Sequence, residues 1–182
     1  NIFLSDLPSI FDDSCDPVQL NSQRISCLLY ADDLVLLSES NTGLQNSLNR
    51  LEEYCKKWKL TVNLKKTKIM IFNKGGHKFR TYHFFYKQNE IEIAQNYCYL
   101  GIEFTAAGNF NLALTRLKEK ANKVLFSLRY FNSHGDIDMT FKLFQSLIVP
   151  IATYAGEVWA PYLINSLNED NFMQLCDRVP TE

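Results

Sequence analysis
The chain has 182 residues, 46% of them hydrophobic and 21% charged. That balance suits a globular chain of one domain or somewhat more and excludes a disordered one. A formal net charge of −1 excludes a global basic field, so any nucleic-acid surface must come from local segregation of charge. The five cysteines, Cys15, Cys27, Cys55, Cys98 and Cys176, are odd in number, widely spaced and without a C-x-x-C pair. This pattern argues against a zinc site or a disulfide framework and favours reduced thiols. No apolar run approaches membrane-spanning length, and no signal peptide is evident. The first residue is Asn1 rather than Met, as expected of a piece of something longer.

Residues 1–8, NIFLSDLP, alternate poorly as a strand. Ile2, Phe3 and Leu7 suit the last turns of a buried helix ended by Pro8. The polar stretch Phe11–Arg24 reads as a loop. Its acids Asp12 and Asp13, like Asp6, read as solvated loop carboxylates before they read as stand-in metal ligands. Ile25–Ser38, ISCLLYADDLVLLS, places Ala31-Asp32-Asp33 between two apolar runs of strand length, which predicts a tight β-hairpin with the carboxylates at its tip. At such a tip both carboxylates reach one region and repel unless a cation lies between them. Hard divalent ions bind one or two carboxylates together with substrate phosphates. The plain alternative is a solvated Asp-Asp turn.

Thr42 and Gln45 fit a capping box. Leu44, Leu48, Leu51, Cys55 and Trp58 then recur at helical spacing, predicting an amphipathic helix over 42–59 with an apolar stripe given to the core. Lys68–Phe72 reads as a strand, and Lys66 reads by itself as a loop lysine. Asn73–Lys78 reads as a turn, and 79–86 with 91–93 as a hairpin around 87–90. Tyr97–Phe104 reads as one strand. Its Gly101 permits close backbone approach to a sugar-phosphate or, alternatively, marks a β-bulge. From Asn111 the pattern is helical, with Leu114, Leu117, Ala121, Val124, Leu128 and Phe131 in an apolar stripe. Arg116, Lys118, Lys120, Lys123 and Arg129 make this helix basic, either as a solvated face or as a set of phosphate contacts. A turn over 133–138 precedes a helix over 139–149 that stops near Pro150, and a third helix follows over 152–159. The stretch 161–182 carries no clear pattern.

Tyr30-Ala31-Asp32-Asp33 resembles the catalytic motif of reverse transcriptases, in a setting similar to the non-LTR (LINE-type) retrotransposon enzymes. The resemblance extends in order through NIFLSDLP, the YADD string, an amphipathic helix, N-x-x-K-T at Asn63, Lys66 and Thr67, Y-L-G at Tyr99-Leu100-Gly101, and the basic helical region. Leu64 stands where that family often has Pro. The resemblance implies an α+β fold: a partial polymerase palm over 1–104, an antiparallel sheet with the YADD hairpin and a covering helix. It further implies a helical thumb-like region over 105–162 and leaves 163–182 unassigned.

The activity implied is RNA-directed DNA synthesis, with nucleotidyl transfer from a dNTP to a DNA primer 3′-hydroxyl on an RNA template, through two Mg²⁺ (or Mn²⁺) ions. Asp32 would hold the metals with Asp33 as helper or support, and Lys66 would assist at the triphosphate. Tyr30 and Ala31 would shape the turn near the primer end. Leu100 and Gly101 would touch that end from a second hairpin, and Arg116, Lys120 and Lys123 would meet the nucleic-acid backbone. The same resemblance implies a further catalytic carboxylate upstream of Asn1, so the chain alone is expected to be weak or inactive. Two other readings stay open. One is a decayed, non-catalytic remnant that only binds nucleic acid, and the other is an unrelated α+β domain in which Asp-Asp is a structural turn.

Overall fold
In the computed structural model, residues 4–72, 82–131 and 137–166 are described. The expected turn at 73–78 and the stretch beyond 166 lie outside them. The chain divides into two compact units, one drawn from residues up to 69 and from 82–93, the other from 70–72 and from 94 onward.

In the first unit Pro8 does not end a helix. It sits in the first turn of a short 3-10 helix, Leu7–Ile10, where its missing N–H costs nothing. The expected loop over 11–24 is instead structured. A 3-10 turn at Asp13–Cys15 is capped by Asp12. A hairpin follows, β1 (Val18–Leu20) against β2 (Gln23–Ile25), joined by Asn21, which adopts φ +54°. Next come β3 (Cys27–Tyr30) and β4 (Asp33–Leu36), paired antiparallel with Tyr30 opposite Asp33 and Cys27 opposite Leu36.

Helix α1 (Asn41–Trp58) begins at Ser40 rather than Thr42, with the Ser40 hydroxyl accepting from the Gly43 N–H at 3.0 Å. Ser and Thr cap alike, and the extended backbone at Ser40 decides between them. Two faces of α1 are engaged. One holds the amino-terminal segment: Asn46 donates to the Ser14 carbonyl at 2.7 Å, Arg50 pairs with Asp12, and the Tyr54 hydroxyl donates to Asp6 at 2.6 Å. The other holds a hairpin, β5 (Phe85–Tyr86) with β6 (Asn89–Glu90). There the Gln45 amide both donates to the Phe85 carbonyl and accepts from its N–H, each at 2.9 Å, so a side chain completes a strand's missing pairing. Between these faces Ser47, Leu48, Leu51, Tyr54 and Cys55 are buried, joined by Leu7, Cys15, Phe84 and Tyr86. The loop of the β5–β6 hairpin is only Lys87-Gln88, both at positive φ, shorter than the four residues expected. The expected strand at 68–72 is a single bridge, Ile69 to Ile93, supported by Lys68 pairing with Glu92.

The chain carries no multi-stranded sheet among its described residues; its strands form four two-stranded antiparallel pairs. The α+β class therefore stands. Among the described residues the YADD hairpin is its own two-stranded sheet, with no third strand paired to it.

In the second unit the segment 97–104 is two strands rather than one. They are β7 (Asn96–Tyr99) and β8 (Ile102–Thr105), paired with Tyr99 opposite Ile102. Helix α2 (Asn111–Phe131) packs Ala113 and Leu117 on Ile102, with Phe104, Phe110, Ala155 and Trp159 around them. Helix α3 (Ile137–Leu143) runs into a π turn at Phe144–Ile148 and then α4 (Val149–Ala152). The helical path ends near Pro150, as expected, closing at Ala152. Lacking an N–H, Pro150 leaves a carbonyl in the preceding turn without its donor, and the turn ahead of it widens. The break comes at Thr153–Ala155, with Ala155 at φ +52°. Helix α5 (Gly156–Ser166) then continues through Pro161, longer than the expected helix over 152–159.

Gly43 is the tightest point of the first unit. A Cβ there would lie 2.5 Å from the Ser38 Oγ and 2.6 Å from the Cys15 carbonyl oxygen. Gly43→Ala is expected to destabilise the chain by about 1–3 kcal/mol, read as a lower urea midpoint. Tyr54 gives a pH signature. Its hydrogen bond to Asp6 pushes the phenol pKa up to about 12. A folded-state pKa above the unfolded value of about 10 means the contribution is whole below pH 10 and is lost as pH rises toward 12. Tyr54→Phe should cost about 1–2 kcal/mol at neutral pH, and the gap from wild type should close across that alkaline window in a stability-versus-pH series.

Candidate functional site
The β3–β4 hairpin is anchored at its base and open at its tip. At the base Leu37 donates to the Ser26 carbonyl at 2.8 Å. Ser38 donates to the carbonyls of Cys15 and Asp16 at 2.8 and 3.2 Å, and Glu39 N–H reaches the Asp16 carbonyl at 2.9 Å. These bonds join the segment after β4 to the start of β3 and to the 3-10 turn at Asp13–Cys15. Leu29 and Leu34 form a half-buried cross-strand pair. At the tip Ala31 and Asp32 make a two-residue loop, and Ala31 adopts φ +52°. For a residue with a Cβ the left-handed region costs about 1–2 kcal/mol, so the loop is held by the pairing on either side of it.

Ala31, Asp32 and Asp33 are exposed, and Tyr30 beside them is 62% exposed. No ion pair among the described residues engages Asp32 or Asp33. The other acids singled out in the sequence are engaged. Asp6 accepts from Tyr54, Asp12 pairs with Arg50, and Asp13 pairs with Arg24 at 2.6 Å. Asp12 also accepts from the Ser14 hydroxyl, and this bond, with the Arg50 charge, holds its carboxyl below the usual carboxylate range. These three carboxylates are structural partners, neither merely solvated nor gathered about Asp32. Among the described residues no three Asp, Glu, His or Cys side chains form a group that could hold a metal ion. Asp32 and Asp33 offer hard oxygen donors with no ion-pair partner among the described residues, which fits one side of a Mg²⁺ or Mn²⁺ site.

Lys66 is exposed and sits in a turn of the same unit built on Asn63. The Asn63 carbonyl accepts from the N–H groups of Lys66 and Thr67 and from the Thr67 hydroxyl, each at 3.0 Å. The N-x-x-K-T spacing thus encodes a local turn that fixes the lysine backbone.

The second unit carries the remaining residues. Leu100 and Gly101 are the two-residue loop between β7 and β8, at φ +47° and +83°. Gly101 is neither a bulge nor mid-strand. Its missing side chain serves the turn, and a Cβ there would meet the Tyr154 ring at 3.3 Å. The Tyr154 hydroxyl donates to the Leu100 carbonyl at 2.7 Å. Sequence reading missed Tyr154; the usable signal was the Thr153–Gly156 run, whose left-handed Ala155 breaks the expected helix. On α2, Arg116, Lys120 and Lys123 are all exposed at helical spacing, beside the stripe centred on Ala113 and Leu117. Arg116 lies 3.6 Å from Glu119, an exposed pair of small energetic weight.

Among the described residues Cys15, Cys27, Cys55 and Cys98 are free thiols. Burial pushes the Cys27 thiol up, which makes it less reactive. Burial, then the neighbouring Cys55, likewise holds the Tyr86 hydroxyl protonated. No described helix is long and apolar enough to cross a membrane.

Comparison with known proteins adds three findings. The family model described as reverse transcriptase (RNA-dependent DNA polymerase) matches residues 1–104. An uncharacterized transposon-derived protein of Caenorhabditis elegans is 25% identical over 144 residues, covering 78% of this chain and 51% of that protein. The chain thus spans about half the length of that relative. No solved structure matches.

Because Asp32 and Asp33 are exposed and make no ion pair among the described residues, Asp32→Asn and Asp33→Asn should leave thermal stability within about 0.5 kcal/mol of wild type. A calorimetric scan of each variant checks this. A larger loss would mean these carboxylates support the fold.

Proposed function
The chain belongs to the reverse transcriptase (RNA-dependent DNA polymerase) family, and we propose that it is part of the polymerase of a non-LTR retrotransposon. Its reaction would transfer a nucleotide from a dNTP to a DNA primer 3′-hydroxyl on an RNA template. The observation that carries this reading is the hairpin tip: two adjacent carboxylates, exposed, with no ion pair among the described residues, on a strained loop whose base is tied to the Asp13–Cys15 turn. Asp32 holds Mg²⁺ or Mn²⁺ with Asp33 beside it. Bound there, the ions would stabilise charge on the attacking and leaving oxygens. Lys66, at the Asn63 turn, places a point charge for the triphosphate. Tyr30 and Ala31 shape the primer side of the loop, and Leu100-Gly101 presents a second tip to the primer end. Arg116, Lys120 and Lys123 contact phosphates without reading sequence. The family resemblance implies a further catalytic carboxylate from an upstream strand; Asp6, Asp12 and Asp13 are engaged by Tyr54, Arg50 and Arg24.

A non-catalytic remnant that only binds nucleic acid is the second reading. The absence of a third acid beside the tip among the described residues favours it.

Primer extension on an RNA template with dNTPs and Mg²⁺ or Mn²⁺, run beside Asp32→Asn, separates the two. The expected result for the chain alone is little or no extension, with Mn²⁺ broadening the NMR signals of 30–34 in wild type and not in Asp32→Asn. Extension that disappears in the variant would establish the polymerase and overturn the external carboxylate. A hairpin indifferent to Mn²⁺ would remove Asp32 as a ligand and leave the remnant. For the basic helix, a Lys120→Gln, Lys123→Gln pair should weaken duplex binding and lower the salt slope by roughly 1–2. A filter-binding salt titration reads that slope.

A further inference from the structure
The loop joining β7 and β8 puts a leucine where a hairpin of this kind normally has Asn, Asp or Gly. Leu100 adopts φ +47° and is partly exposed. A branched side chain in the left-handed region persists only where the surroundings over-determine it. The surroundings here are specific. The Tyr154 hydroxyl, 54 positions further along the chain, donates to the Leu100 carbonyl at 2.7 Å. The edge of the Tyr154 ring stands 3.3 Å from where a Gly101 Cβ would be. Tyr154 is itself fixed, because the Trp159 indole N–H donates to the Tyr154 carbonyl at 2.8 Å. Trp159 in turn packs on the core of Ile102, Ala113 and Leu117. A continuous series of contacts therefore runs from the core through Trp159 and Tyr154 to the carbonyl of the tip.

We propose that Tyr154 is a positioning residue for the primer end. Its hydroxyl locks the strained Leu100-Gly101 tip so that the exposed Leu100 side chain and the bare Gly101 backbone meet the terminal sugar of a recessed primer. This rests on the polymerase reading of that hairpin. The bond is to a main-chain carbonyl, so Tyr154 needs no contact with the nucleic acid. Phenylalanine keeps the ring beside Gly101 and removes only the lock.

The experiment uses the full chain and two ligands of equal length: a DNA primer recessed on an RNA template, and the same hybrid made blunt. Wild type is expected to prefer the recessed end. In Tyr154→Phe that preference should fall about threefold to tenfold, the loss expected of one neutral hydrogen bond. Affinity for the blunt hybrid and its salt slope, which report phosphate contacts elsewhere, should not change. A merely structural role would lower both affinities together. Hydrogen exchange gives a second readout, with the amides of 100–102 exchanging faster in Tyr154→Phe at unchanged melting temperature. If Tyr154→Phe does not fold, Trp159→Phe is the second variant: it removes the indole N–H that fixes the Tyr154 carbonyl, and the same selective loss is expected. A preference intact in the variant overturns the proposal for Tyr154 alone. A wild type with no preference for the recessed end overturns the primer-contact reading of Leu100-Gly101, and the proposal with it.

Discussion

The first unit depends on one close approach. At Gly43 the first turn of α1 comes so near to Cys15, Asp16 and Ser38 that a methyl group has no room. Three pieces of chain meet there: the 3-10 turn after Asp12, the end of β4 and the helix start. Ser38 bonds two carbonyls of the first piece, and Ser40 caps the third. The bonds are short-range and directional, so a small displacement of one piece moves the other two. Because β4 ends in this junction, the direction of the YADD hairpin is set by backbone bonds at its base, while its tip makes no ion pair among the described residues.

Both hairpins with proposed roles use the same device. Ala31 and Leu100 each open a two-residue loop in a conformation that L-residues with a Cβ disfavour. Strain of this sort costs of the order of a few kcal/mol at most and is tolerable where the flanking strands are well fixed. At β3–β4 the fixing lies at the base. At β7–β8 it also reaches the tip, through Tyr154 and Trp159. A glycine or asparagine in either place would relieve the strain. At Leu100, a larger exposed side chain stands at the tip instead.

The acids of the first unit separate by partner. Asp6, Asp12 and Asp13 are each bonded to a residue distant in sequence, Tyr54, Arg50 and Arg24, and they hold the amino-terminal segment in place. Asp32 and Asp33 make no ion pair among the described residues. That contrast separates the two groups more sharply than exposure does, since Asp12 and Asp13 are exposed as well.

Three things were legible in the sequence by itself: the YADD hairpin, the amphipathic α1 and the basic, apolar-striped α2. Each follows from local periodicity or from adjacent turn residues, which need no distant partner. The β1–β2 hairpin inside a polar stretch, the division of 97–104 at Leu100-Gly101 and the single bridge left of 68–72 were decided by tertiary structure. A strand-like apolar run reports burial, not where the chain reverses, and a leucine in a left-handed turn has no propensity signal. The π turn ahead of Pro150 was hidden for a related reason, since one lost hydrogen bond can be absorbed by a wider turn when the flanking residues are packed. The partners of Asp6, Asp12 and Leu100 lie 48, 38 and 54 positions away. At such separations the pairing is fixed by packing in space, and no pattern along the chain records it.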